Sequence, residues 1–217
     1  MSRTAAFDEN TERYDDWFVQ HDAAYISELA AVRNLLAQYK SGLEIGVGTG
    51  RFSAELGIQT GIDPSRSMMR LARGRGLHVA GATAETLPFA DATFDLCLVV
   101  TTICFVDDAS AMMKEAYRVL QPGGMLVVGL IDRESPLGQE YLAHQSESVF
   151  YREATFFSVG EVEALLADAE FIDLNWVQTL FEPPSQNAVE EPTRPGNGEG
   201  SFVAVSARRP LINPGLA

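Results

Sequence analysis

Positive charge is scarce in this chain. Sixteen lysines and arginines stand against thirty aspartates and glutamates, a formal charge of −14, with only three histidines. Such a field repels a phosphate backbone, so a nucleic-acid partner is not expected unless a local basic stripe overrides it. The best stripe, Arg66, Arg70 and Arg73 at helical spacing, reads as a solvated helix face. Cysteine is scarcer still: Cys97 and Cys104 lie in or beside one apolar run and read as packed thiols rather than as a disulfide or metal pair. No metal site is expected. No apolar run reaches the ~20 residues that a membrane helix needs. The longest, over 96–106, contains Thr101 and Thr102. The opening Met-Ser-Arg-Thr-Ala-Ala-Phe-Asp-Glu lacks an apolar stretch before a small-residue cleavage site, so a cytoplasmic location away from membranes is expected. Internal repeats are absent too.

What remains is a chain of 217 residues, 46% hydrophobic, able to bury a substantial core as one domain over 1–217. Apolar strand-like runs alternate with amphipathic segments, the pattern of an α/β protein with a mostly parallel sheet. Tyr14, Trp17, Phe18, Tyr25, Leu29, Val32 and Leu35 recur at three- and four-residue intervals and predict a helix over about 10–38. Strands are expected over 42–47, 59–62, 77–80, 94–101, 125–131, 171–181 and 201–207. The fourth, continuously apolar after Asp95, reads as a central strand buried on both faces. Helices are expected from Arg51, from Asp63-Pro64-Ser65 with the proline in the first turn, over 109–120, and from a capping box at Ser158 and Glu161.

Three segments do not fit the repeating unit: the N-terminal helix, residues 132–157, and residues 182–200. Long connections in a compact domain are usually functional. The second follows the carboxyl end of the fifth strand, the edge where open α/β sheets bind ligands. The first two are expected to cap a substrate pocket, and the prolines and glycines of the third make it a mobile-lid candidate.

Glu44-Ile-Gly46-Val-Gly48-Thr-Gly50 joins the first strand to its helix. Glycines there let a ligand approach the backbone while the helix N-terminus faces it. A dinucleotide fingerprint places a third glycine where Arg51 stands, so the spacing argues against NAD. Asp63 closes the second strand, where a carboxylate can accept hydrogen bonds from both ribose hydroxyls of a nucleoside.

Taken in order, LEIGVGTG, GIDPS, AETLPF with FDLCLVV, and RVLQPGG resemble the motifs of class I S-adenosylmethionine-dependent methyltransferases, over about 43–131. Within them the chain resembles the small-molecule branch called type 11. TTICFVDD and IDRESPLGQEY also resemble bacterial and archaeal relatives described as histamine-methyltransferase-like. The resemblance implies a Rossmann-like sheet in order 3-2-1-4-5-7-6, strand seven antiparallel, with helices on both faces. It implies S-adenosyl-L-methionine as cofactor, with Glu44, Gly46 and Gly48 beside its amino-acid part, Asp63 on the ribose, and Pro64 and Met68 near the adenine. Thr83 stands where relatives carry an aspartate that reaches the adenine amino group, Ala84 would offer its amide to the ring, and Thr101 its carbonyl to the cofactor's ammonium group. Relatives often carry histidines where Cys104 and Phe105 stand, so no catalytic histidine transfers.

Tyr14, Trp17, Phe18, Asp132 and Tyr141 are the substrate-pocket candidates, with Glu134 beside Asp132 as a second carboxylate. His21 and His144 fall in the cap segments but read first as exposed, and His78 has less claim. The reading is methyl transfer to a small-molecule acceptor by in-line displacement. A sulfonium is electrophile enough that alignment and exclusion of water supply most of the catalysis, so no catalytic triad is needed. Its rivals are a non-catalytic module that binds the same cofactor and an NAD-dependent oxidoreductase.

Overall fold

The computed structural model describes residues 4–182 and 189–211. Three helices precede the sheet: α1 (Ala5–Glu9), α2 (Thr11–Gln20) and α3 (Asp22–Leu35). The single helix expected over 10–38 is therefore interrupted, and it ends at Leu35. At His21 the backbone leaves the helical region, and the ring stacks on Trp17 at 4.8 Å with Nδ1 3.1 Å from the Trp17 carbonyl oxygen. The apolar spacing runs through the break because both helices bury residues in the same core cluster, so periodicity registers no interruption.

The sheet comprises β1 (Gly42–Ile45), β2 (Thr60–Ile62), β3 (His78–Ala80), β4 (Phe94–Val100), β5 (Leu120–Ile131), β6 (Ile172–Thr179), β7 (Arg194–Pro195) and β8 (Phe202–Arg208). Their order is β3-β2-β1-β4-β5-β8-β6-β7. The first five pair in parallel, while β8 runs antiparallel to both β5 and β6. This is the expected seven-strand order with β8 as the seventh strand. The addition is β7, a two-residue strand at the β6 edge that arises inside the 182–200 segment and carries no apolar run to announce it. Part of that segment, the mobile-lid candidate, lies outside the described residues.

The crossover helices are α4 (Arg51–Leu56), α5 (Arg66–Gly74), α6 (Ala109–Val119) and α8 (Val159–Asp168), with α7 (Pro136–Ala143) following β5. Along β4 the side chains alternate between two cores. Phe94, Cys97 and Val99 join the cluster built with α6 and α8, whereas Leu96, Leu98 and Val100 join the one built with α3. Cys97 is a fully buried thiol in that packing. The Ser158 and Glu161 capping box forms as expected. Pro64 does not occupy the first turn of α5: Ser65 is the N-cap and accepts from the Met68 amide, so the proline precedes the cap. Among the described residues no helix is long and apolar enough to cross a membrane.

Candidate active site

The parallel strands end at one edge, where their carboxyl termini open a pocket. Its floor is the β1–α4 turn. Gly46 and Val47 donate their amides to the Ile62 carbonyl, tying the turn to the end of β2. Gly48 takes φ +53 and donates its amide to one Asp63 carboxylate oxygen at 2.9 Å; the other oxygen accepts the Ser65 amide at 2.8 Å. Burial raises the Asp63 pKa to about 6, against the pull of those two backbone bonds. The residue is still largely ionised at neutral pH, at the pocket wall.

Eight of the nine residues proposed for the cofactor line this one pocket: Gly46, Gly48, Asp63, Pro64, Met68, Thr83, Ala84 and Thr101. Glu44 does not. It is buried beneath the turn, where its carboxylate accepts the Ser53 amide at 3.1 Å and the Ser53 hydroxyl, tying β1 to α4. Desolvation raises it to about 8 despite those bonds. Thr101 ends β4 at φ +49, an unfavourable conformation for a β-branched residue. Strain of this kind persists where surrounding bonds enforce it, and here its amide donates to the Gly129 carbonyl while its own carbonyl accepts the Cys104 thiol at 3.2 Å.

Over the pocket lie the N-terminal helices. Arg51, at the position that broke the dinucleotide spacing, pairs with Asp15 of α2 through Nε at 3.0 Å and a terminal nitrogen at 2.8 Å, and Arg75 grips the same carboxylate. The departure from the glycine fingerprint thus docks α2 on the turn. Asp8 of α1 accepts from the Ser65 hydroxyl at 2.6 Å, holding α1 against the start of α5. These latches bring Phe7 and Tyr14 into the pocket lining. Phe7 packs edge-on against Phe105 at 4.9 Å and stacks on Phe150 at 5.3 Å, and Tyr14 meets Phe150 at 5.6 Å. The N-terminal helices and the 132–157 segment therefore meet at this pocket.

The remaining acceptor candidates are placed elsewhere. Phe18 is buried in the α3 core cluster, and Trp17 packs on that cluster while stacking on His21. Asp132 is buried but accepts the Glu134 amide at 3.1 Å in the turn that starts α7, and Glu134 is exposed. Tyr141 stacks on Tyr151 at 4.9 Å, and Tyr151 in turn stacks on Phe105 of the pocket lining at 5.8 Å. His144 and His78 are exposed. None of the three histidines lines the pocket.

The pocket wall also holds residues that motif reading missed, notably Phe7, Thr102, Glu85 and Phe105. Thr102 donates to the Gly46 carbonyl at 3.2 Å, bracing β4 against the glycine turn. Burial pushes the Glu85 carboxyl up, but backbone bonds, including those from Asp107 and Asp108, outweigh it and hold its pKa below the ordinary value. One buried acid outside the pocket lining has no motif at all. Glu28, on α3, is only 4% exposed, and burial raises its pKa to about 8.

This sheet order, with a glycine turn and an acidic strand end at one pocket, defines an α/β enzyme of the methyl-transferring class. The sequence profile of the family described as "Methyltransferase domain" matches residues 43–128. A Thermotoga maritima protein of solved structure, described as a "SAM-dependent methyltransferase, possible histamine N-methyltransferase", is 47% identical with a TM-score of 0.93, over 95% of this chain and 99% of that one. An uncharacterized protein of Methanocaldococcus jannaschii is 41% identical over 94% of this chain and 98% of its own length. A Haemonchus contortus phosphoethanolamine N-methyltransferase, solved with S-adenosyl-L-methionine, shares the fold at a TM-score of 0.62 and 18% identity. The chain belongs to the class I S-adenosylmethionine-dependent methyltransferases. It is an enzyme, its cofactor is S-adenosyl-L-methionine, and the nicotinamide reading falls.

Proposed function

We propose that this enzyme methylates a small-molecule acceptor enclosed between the N-terminal helices and the segment 132–157, as caps on one domain that spans 1–217. The observation that supports it is the aromatic contact of Phe7 with Phe105 and Phe150 and of Tyr14 with Phe150, which brings both cap segments together beside the pocket. The residues fit the cofactor: a carboxylate at the end of β2, the Gly48 amide held by it, and a turn whose Gly48 would direct a side chain toward Tyr14. Asp63 would take the ribose hydroxyls, Gly46 and Gly48 would flank the amino-acid part, and Pro64, Met68, Thr83 and Ala84 would surround the base. Thr101 would present its carbonyl to the ammonium group. Glu44 acts one layer below, by fixing the turn through Ser53. When bound, S-adenosylmethionine supplies an electrophilic methyl group that the acceptor takes by in-line displacement. The chain's own part is to align the two molecules and exclude water, the task of the two cap segments.

Asp63→Ala is expected to weaken S-adenosylmethionine binding several-fold to about a hundredfold, since losing hydrogen bonds to a charged acceptor costs ~1.5 to 3 kcal/mol. Calorimetry measures it, with thermal unfolding alongside because Asp63 also holds the Gly48 and Ser65 amides. Unchanged affinity in the folded variant would refute the ribose assignment.

The acceptor side is tested with a panel of small amines, phenols and thiols, beginning with histamine because of the description given to the Thermotoga neighbour. Tyr141→Ala is expected to lower acceptor turnover at least about tenfold while cofactor affinity stays within about threefold. Its ring acts on the pocket only through Tyr151 and Phe105, and a tenfold loss is ~1.4 kcal/mol of transition-state stabilisation. Equal losses of cofactor and acceptor binding would dismiss the cap. Methylation of nucleic acid or protein with no small acceptor would dismiss the whole reading.

A further inference from the structure

Asp63, Glu85 and Asp107 line the cofactor pocket, and among the described residues its lining holds no lysine, arginine or histidine. Arg51 and Arg75, which flank the glycine turn, both donate to Asp15, and Arg75 donates as well to the Thr49 carbonyl. S-adenosylmethionine brings a carboxylate into this acidic pocket together with its ammonium and sulfonium groups. A carboxylate set among acids requires hydrogen-bond donors, and a bond to a charged acceptor is worth more than one between neutral groups.

Tyr14, in the same lining, stands on α2 with its hydroxyl 3.9 Å from the position that a Cβ at Gly48 would take. Its ring is held edge-on by Phe7 at 5.6 Å, Phe18 at 5.4 Å and Phe150 at 5.6 Å. The next residue, Asp15, is the one that Arg51 and Arg75 grip. Yet among the described residues no hydrogen bond reaches the Tyr14 hydroxyl. Tyrosine hydroxyls in such apolar surroundings ordinarily find a partner. Other hydroxyls of the lining are engaged: Ser65 donates to Asp8, and Thr102 to the Gly46 carbonyl. Burial first, then Asp63 and Glu44, raise the Tyr14 pKa above the ordinary phenol range, so the group keeps its proton.

We propose that the Tyr14 hydroxyl donates a hydrogen bond to the carboxylate of the cofactor's methionine part, so that Tyr14 holds S-adenosylmethionine and does not wall the acceptor. This rests on the placement of that part beside Gly46 and Gly48 proposed above, and it adds the donor. A phenol suits the position physically. It satisfies the carboxylate without a cation that would repel the sulfonium and ammonium groups of the same ligand. Asp15 then acts through Tyr14, because its bonds to Arg51 and Arg75 fix the helix that carries the ring.

The test is calorimetric titration of the full chain with S-adenosylmethionine and with its decarboxylated analogue, which keeps the base, ribose, sulfonium and ammonium groups. The wild type is expected to bind S-adenosylmethionine about tenfold or more tightly than the analogue. Tyr14→Phe, which keeps the ring and its three aromatic contacts, is expected to lose about tenfold in affinity for S-adenosylmethionine. Its affinity for the analogue should stay within about threefold, which also shows that the variant is folded. The inference is overturned if the wild type binds both ligands equally, if Tyr14→Phe keeps the full preference, or if it weakens both ligands alike. Among the described residues the Thr101 hydroxyl also lacks a hydrogen bond, so it is the rival donor. A preference erased by Thr101→Val and kept by Tyr14→Phe would give the role to Thr101 and overturn the inference too. Gly48→Val separates this assignment from the placement beneath it. If Gly48→Val loses the cofactor and Tyr14→Phe binds as the wild type does, only the Tyr14 assignment falls. Wild-type affinity in folded Gly48→Val would instead strike the placement of the cofactor over the turn, and the inference with it.

Discussion

Gly48→Val is expected to give a folded protein whose affinity for S-adenosylmethionine is at least about a hundredfold weaker, equivalent to ~2.7 kcal/mol. A Cβ at Gly48 would stand 3.8 Å from Tyr14 Cε1 and 3.9 Å from its hydroxyl, ordinary contact distances, so the first carbon fits. The two further methyl groups of valine have only the space in front of the turn, between Tyr14 and Asp63. The φ of +53 adds a backbone penalty of roughly 1 to 2 kcal/mol, which lowers Tm without unfolding the sheet. Gly46 offers no comparable test, because any side chain there collides with Thr102 and disturbs β4 itself. Gly74→Ala serves as the control: it lies in α5 with nothing within 4 Å of its added carbon, and both affinity and stability should be unaffected or slightly improved. Calorimetric titration of the three proteins with S-adenosylmethionine decides the matter. Wild-type affinity in folded Gly48→Val would mean that the cofactor does not lie over this turn.

The parts of this site that were legible in the sequence are those where backbone geometry imposes a residue type. Gly46 and Gly48 occupy positive φ in a turn that feeds a helix, and Asp63 sits at the end of the neighbouring strand, so spacing along the chain translates directly into proximity. Thr101 came from the family resemblance, which places the end of β4 beside the cofactor. The strands themselves and the capping box at Ser158 were legible because apolar runs and cap chemistry are local, whereas the order of the strands came from the family resemblance. Glu28 was not. In a row of alanines, leucines and valines on an amphipathic helix, a lone glutamate reads as a solvent-facing position, whereas in the fold it is buried with the rest of α3, the helix that packs on β5, β6 and β8. Phe7 and Phe105 were missed because their contact joins residues almost a hundred positions apart. Trp17 and Phe18 share the spacing of Tyr14, but helical spacing alone does not separate the ring that reaches the pocket from the two that pack on α3 and His21. Asp132 was read from its position beyond β5, where the need to cap the next turn outweighed any exposure to a ligand.

Three buried acids also make the ligand-free enzyme sensitive to alkali, and Glu28 is the most informative of them. Burial raises Glu28 and Glu44 to about 8 and Asp63 to about 6. In the unfolded chain all three ionise near 4. Between those limits the folded state holds protons that the unfolded state has released, so stability is greatest near the lower values and falls as pH rises toward 8. Asp15 acts in the opposite sense. Burial opposes its ionisation, but bonds to Arg51 and Arg75 bring it to about 2, so its contribution is lost only as pH falls from ~4 toward 2. The unfolding temperature should therefore peak near pH ~5 and drop by roughly 10 °C by pH ~8.5, taking a few kcal/mol at ~2 to 4 °C each for a chain of this length. Self-repulsion of a chain with formal charge −14 adds to the same slope, so the wild-type profile alone does not identify the groups. Glu28→Gln does, because it removes one titration and, among the described residues, no hydrogen bond. Its profile should be flatter than the wild type above pH ~6 and should cross to higher stability by pH ~8. Glu44→Gln keeps an oxygen for Ser53 and should flatten the curve in the same range. Differential scanning calorimetry at half-unit pH intervals reads all three profiles. Parallel slopes for wild type and Glu28→Gln would show that Glu28 is ionised in the folded protein without cost, contrary to its burial.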